Sequence, residues 1–205
     1  MNLWEGKTAA FLKTGSNIIL LNLLWLTCSI PIITIGPSTV ALTGVIRRWH
    51  LNKEESVVRC FFYEYQKYLK QGFLVGTTWI FLGVILLIDV IFFLQIQSES
   101  KVIFIAITAI VIILYLMIST LLFPILVHYE SKGLASIKQA FIFSLWDVKT
   151  AIAIILMWIA AGLIIFYAPI GILVIFVPLT MVTFRFATHV FLKVESIIEY
   201  KSASC

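Results

Sequence analysis

Long apolar blocks dominate this chain, and its polar residues fall between them. Asn17–Ile46, Val102–Val127 and Thr150–Phe184 carry no charge, and Gly72–Gln95 carries Asp89 alone. Blocks of this length are expected of helices crossing ~30 Å of hydrocarbon. The last block is too long for one crossing, and its Ala168-Pro169-Ile170-Gly171 stretch supplies a turn that divides it. The pattern predicts an all-α, polytopic membrane helix bundle with about five crossings. They fall near 17–46, 72–95, 102–127, 150–168 and 170–192, in one integral-membrane domain spanning 1–205. Leu3, Trp4, Phe11 and Leu12, set among polar residues, predict a short interfacial helix ahead of them.

Pro31, Gly36 and Pro37 interrupt the first block. Each proline removes a helical hydrogen bond, and glycine admits backbone angles closed to other residues. A single crossing with an unwound middle fits, and is preferred here. A re-entrant hairpin also fits, with arms 17–30 and 37–48 that are each too short to span. In both, the freed carbonyls need partners away from lipid. Thr34, Ser38, Thr39 and Thr43 are at hand, so the break is expected to face the bundle interior.

Two polar connections have helical periodicity of their own. Val58, Phe61, Phe62, Tyr65, Tyr68 and Leu69 recur at helical spacing over 55–71, opposite Arg59, Tyr63, Lys67 and Lys70. Leu134, Ile137, Phe141, Leu145 and Val148 repeat the pattern more weakly. Both predict amphipathic helices on the inner leaflet. Shifting the chain by 79 positions pairs Lys53 with Lys132, Phe62 with Phe141, Trp79 with Trp158 and Gly83 with Gly162. That register predicts a parallel internal repeat, of a kind that in transporters places a site between the halves.

Composition agrees with a membrane protein. The 205 residues are 61% hydrophobic and 12% charged, against roughly 25% charged in soluble domains. The net charge of +5 sits in short segments flanking the apolar blocks, which argues against nucleic acid as a partner and for the lipid bilayer. Arg47, Arg48, Arg59, Lys67 and Lys70 cluster after the first block, and Lys193 and Lys201 follow the last. By the positive-inside rule these segments and the C-terminus are cytoplasmic; Lys7 and Lys13 then oppose the rule. The N-terminal stretch has no small-residue cleavage site, so it is read as retained. Cys28, Cys60 and Cys205 have no metal or disulfide spacing.

Asn22–Leu26 (Asn-Leu-Leu-Trp-Leu), the Pro31–Pro37 break and the aromatic Phe61–Gln71 segment resemble the YesL family of small bacterial membrane proteins, most strongly over the first half of the chain. The resemblance implies a bacterial cell-membrane protein encoded near carbohydrate ABC importers, with importer subunits as partners. It brings no catalytic residues, and association of genes is not mechanism.

Candidate chemistry is sparse. Asp89 is an ionisable group within a crossing, ~9 Å from its outer end by helical rise. Arg185 and His189 share one face of the last crossing. With His128 and Glu130 they compose a candidate anion site; the alternative is a snorkelling arginine. Arg185 and Asp89 occupy opposite membrane halves and are not expected to pair. No metal, cofactor or catalytic motif is present, so no enzyme is expected. Trp79 and Trp158 read as packing residues, as do Gly76, Gly83 and Gly162. The residues favour an accessory or regulatory component, which the family resemblance implies is associated with carbohydrate uptake, over a small transporter or channel working as a homo-oligomer.

Overall fold

The computed structural model describes residues 3–51, 56–95, 101–130 and 133–203. Lys53, Lys132, Cys205 and residues 96–100 lie outside them. Among the described residues the chain is helical: α1 (Leu3–Cys28), α2 (Ile35–His50), α3 (Val57–Gln95), α4 (Lys101–His128), α5 (Leu134–Trp146), α6 (Val148–Tyr167) and α7 (Ile172–Ala203). Short 3-10 turns over Ile32–Thr34 and Pro169–Gly171 precede α2 and α7. Four stretches are helical, long and apolar enough to cross a membrane: Val57–Gln95, Val102–His128, Val148–Tyr167 and Pro169–Ile197.

The first apolar block differs from the single crossing expected of it. It forms two helices, α1 and α2, and the indole of Trp25 reaches Thr39 at 3.2 Å. In one continuous helix those residues would stand ~21 Å apart, so the chain turns sharply between them. The break itself lies at Ser29–Pro31, just past the end of α1, where a proline commonly follows a helix. Pro37 falls in the first turn of α2, where a missing N–H costs little. Thr34 Oγ1 lies 2.7 Å from both the Cys28 and the Pro31 carbonyl oxygens and donates its one proton to either, doing part of what the freed backbone requires. The tip of the turn is on the surface and not in the interior: Ile30, Ile32 and Ile33 are all exposed.

Gly36 is needed for its missing side chain and not for unusual dihedrals, since positive φ occurs only at Glu130 and Gly133 among the described residues. A Cβ on Gly36 would overlap the Gly72 carbonyl and lie 2.8 Å from the Gly76 Cα. A Cβ on Gly72 would lie 2.8 Å from the Pro37 Cα. The start of α2 therefore touches α3 backbone to backbone through a Gly-x-x-x-Gly pair, the small-residue contact that membrane helices use for close packing. From there α2 runs antiparallel to α3, ending where Arg48 meets Glu64.

Both amphipathic segments are helical, and both pack against a neighbouring helix. Residues 57–71 are the first part of α3, a single 39-residue helix about 58 Å long. It buries Val57, Cys60, Phe61, Glu64 and Tyr68, while Val58, Phe62 and Leu69 are exposed. α5 packs against α4. It buries the small stripe Ser136, Ala140 and Ser144 and turns Phe141 and Leu145 outward. α5 thus packs through small residues, as membrane helices commonly do, whereas the first part of α3 packs through Phe61 and Tyr68.

α3 and α4 are antiparallel: Phe93 stacks on Phe104 near one end, and Lys67 meets Glu130 at the other. α6 and α7 are antiparallel as well, joined by Trp158–Thr183 and Asp147–Lys193. Asn22 of α1 donates to the Ile172 carbonyl at the start of α7 at 3.0 Å. Gly76→Ala should force α2 and α3 apart and cost about 1–3 kcal/mol, read as a lower thermal midpoint of the detergent-solubilised protein. Gly162→Ala should not lower it, because no atom lies within 4 Å of a Cβ built there.

Candidate functional site

Two places gather polar side chains, and they differ in kind. At one end of the bundle, Glu130 accepts from Lys67 at 2.6 Å and has Arg47 at 3.9 Å. Beside it Arg48 bonds Glu64 at 2.6 Å, with its guanidinium 4.7 Å from the centre of the Tyr63 ring. Glu64 is only 6% exposed, and Gly44 makes room for it: a Cβ there would lie 2.9 Å from the Glu64 Cγ. At the same end Asp147 caps α6 through the Thr150 N–H at 3.4 Å and pairs with Lys193 at 3.3 Å. These ion pairs all lie at this basic end.

The second place is a half-open cavity of about 620 Å³ between the helix pairs. Trp79, on its wall, lies ~18 Å along α3 from Lys67 by helical rise, at the depth of the apolar spans. Three tryptophans line it, and each uses the same bond. Trp25 of α1 donates to Thr39 of α2 at 3.2 Å, Trp79 of α3 to Ser119 of α4 at 2.8 Å, and Trp158 of α6 to Thr183 of α7 at 3.1 Å. Each hydroxyl in turn donates to the carbonyl four residues back in its own helix. Ring contacts hold the indoles further: Trp25 stacks on Phe176 with centroids 3.7 Å apart, and Trp79 on Tyr115 at 4.8 Å. No lining residue carries a charged side chain.

The residues singled out from the sequence do not converge on this cavity. Asp89 is half-buried in α3, with no ion pair among the described residues. Arg185 and His189 are exposed on α7. His128 packs against the Phe191 ring at 4.8 Å, and Glu130 is taken by Lys67, so the four do not assemble into one anion site. Arg59, Lys67 and Lys70 lie exposed along the first part of α3, whereas Arg47 and Arg48 are half-buried at the end of α2.

Periodicity alone did not reveal Glu64, because a carboxylate on an apolar stripe looks like an interruption until its arginine is found. The cavity left a fainter trace. Trp79 and Trp158 are partners in the 79-residue register, and each bonds the helix that follows it. Pro124, inside α4, also lines the cavity.

Two solution tests follow. Arg48→Gln leaves the Glu64 carboxylate buried without its cation and should cost about 3–5 kcal/mol, whereas Arg59→Gln should stay within ~0.5 kcal/mol; both are read as thermal midpoints. Acid should act at the same end. The Lys67 hydrogen bond and charge hold the Glu130 carboxyl below its usual pKa. Burial opposes ionisation of Asp147, but the Thr150 N–H and Lys193 outweigh it and lower its pKa as well. A lowered carboxyl pKa adds stability above the unfolded value and loses it as pH falls through the folded one. The midpoint should therefore be level from about pH 7 to 5 and fall below about pH 4.

Comparison with known proteins agrees with the opening motifs. Residues 18–90, from the last part of α1 through α2 and most of α3, match the family described as "Protein of unknown function, DUF624". The chain is 28% identical over 154 residues to "Uncharacterized protein YteU" of Bacillus subtilis (strain 168), covering 72% of this chain and 68% of that protein. No solved structure matches. Of the residues that carried the resemblance in sequence, Asn22 and Trp25 tie α1 to α7, Thr34 closes the turn after α1, and Gly36 seats α2 on α3. Residues 18–90 thus resemble the DUF624 family, in a chain whose described residues form an all-α fold with several helices of membrane-crossing length.

Proposed function

We propose that this protein works by contact and not by chemistry. It is a non-enzymatic accessory component of the bacterial cell membrane, with its basic end and C-terminus in the cytoplasm, that assists carbohydrate uptake. The observation that carries this reading is the long α3. Its 39 residues exceed what ~30 Å of hydrocarbon requires, and the surplus bears Arg59, Lys67 and Lys70 exposed in a row. Such a row attracts anionic lipid, at roughly 1 kcal/mol per cation near the surface. It also presents a face to an acidic partner. The buried Arg48–Glu64 pair and the Gly36 contact brace that face from behind. ABC-type sugar importer subunits enter as the partner through the family resemblance, and nothing in the bundle selects one sugar over another.

Affinity purification from the native membrane tests the reading. Importer permease subunits should be recovered with the wild-type chain and lost with Arg59→Glu combined with Lys70→Glu, both exposed substitutions that leave the fold intact. Recovery of no importer subunit would remove the proposal. A small transporter, acting as a homo-oligomer, is the second reading, and the cavity favours it. Purified protein that moved a labelled solute across liposomes, with flux abolished by filling the cavity, would put it first.

A further inference from the structure

The cavity has a property that its shape alone does not convey: its walls offer a ligand no free donor. Besides the three indoles and their acceptor hydroxyls, Thr43 donates to the Thr39 carbonyl at 2.8 Å, Thr120 to Met117 at 2.7 Å and Thr180 to Phe176 at 2.8 Å. The Tyr115 hydroxyl donates to the Trp79 carbonyl at 3.2 Å. Every side-chain N–H and O–H on the wall is thus engaged within the protein. A sugar or a carboxylate entering here would leave its own polar groups without donors, at the full cost of their desolvation.

What remains for a ligand to meet is aromatic and aliphatic surface. At about 620 Å³ the cavity is within the ~300–1,000 Å³ range of sites that enclose a small molecule. It opens sideways. Leu116 and Ile159 line it and are 37% and 53% exposed, and each lies near the middle of its spanning helix. At that depth the surrounding medium is hydrocarbon, and an apolar cavity does not hold water.

We infer that this cavity is a lipid-chain site: a hydrocarbon chain of a membrane lipid enters between α4 and α6 and lies against Trp25, Trp79 and Trp158. The tryptophans are pre-organised for it. Their bonds fix the indoles before the chain arrives, so little side-chain freedom is lost on binding. The site is distinct from the basic end and does not depend on a partner protein.

The tryptophans report on their own occupancy. Trp4→Phe, Trp49→Phe and Trp146→Phe together leave Trp25, Trp79 and Trp158 as the only indoles. The purified variant is placed in phosphatidylglycerol vesicles containing increasing fractions of the same lipid brominated at mid-chain, a contact quencher. Most of the emission should be lost, and the loss should saturate before the brominated fraction is complete. Leu116→Phe with Ile159→Phe narrows the mouth at exposed positions, so folding is spared, and should restore emission. A brominated free fatty acid, added in parallel, tells a detached chain from a phospholipid chain, and saturable quenching by either supports the site. Quenching that rises linearly and is the same in the narrowed variant would mean bulk lipid contact only, and would overturn the inference. Iodide or acrylamide quenching in place of brominated chains would make the cavity aqueous and overturn it equally.

Discussion

The backbone contact between Gly36 and the Gly72–Gly76 pair is the constraint on which the rest of this bundle rests. It lets α2 begin against the face of α3, so the first apolar block can turn and still keep its polar backbone beside protein. Without it α2 would stand further off. Arg48 would lose its reach to Glu64, and the wall that Gly36, Thr39 and Thr43 give to the cavity would move with it. Three glycines with no chemistry of their own thus place the Arg48–Glu64 pair and one wall of the tryptophan-lined cavity.

What could be read from the sequence, and what could not, follows from which solvent each segment meets. Of the five apolar blocks expected to cross, four coincide with helices long and apolar enough to do so, although the first of these begins at Val57 and not at Gly72. The packed face of α5 did not come through. Phe141 and Leu145 mark the packed side of a helix in water, yet α5 packs with Ser136, Ala140 and Ser144. In lipid, association comes from close approach and not from burying apolar surface, so the usual rule for orienting a helix fails. Glu64 was unreadable for a related reason. Its meaning depends on Arg48, 16 residues away on another helix. The first block was misread because Pro31 and Pro37 look alike in sequence, while one follows a helix and the other begins the next.

The cavity was missed although its residues were noticed. Trp79 and Trp158 appeared as packing residues, and they do pack; each is also bonded to the following helix. The 79-residue register aligned the two tryptophans but not their acceptors, since Ser119 is 40 residues beyond Trp79 and Thr183 only 25 beyond Trp158. The same bond in the first helix pair falls outside the register altogether. A device used three times with three different spacings leaves little periodic trace.

The uninterrupted length of α3 has a mechanical consequence. A helix that passes through the bilayer and continues beyond it without a hinge behaves as a rod pivoting about its tightest contact, here at Gly76 near its midpoint. The arm from Gly76 to Val57 is about 28 Å, so a tilt of ~10° swings the far tip by about 5 Å. With arms of equal length on either side of Gly76, a displacement at one end of the helix is returned at the other at about the same size and in the opposite sense.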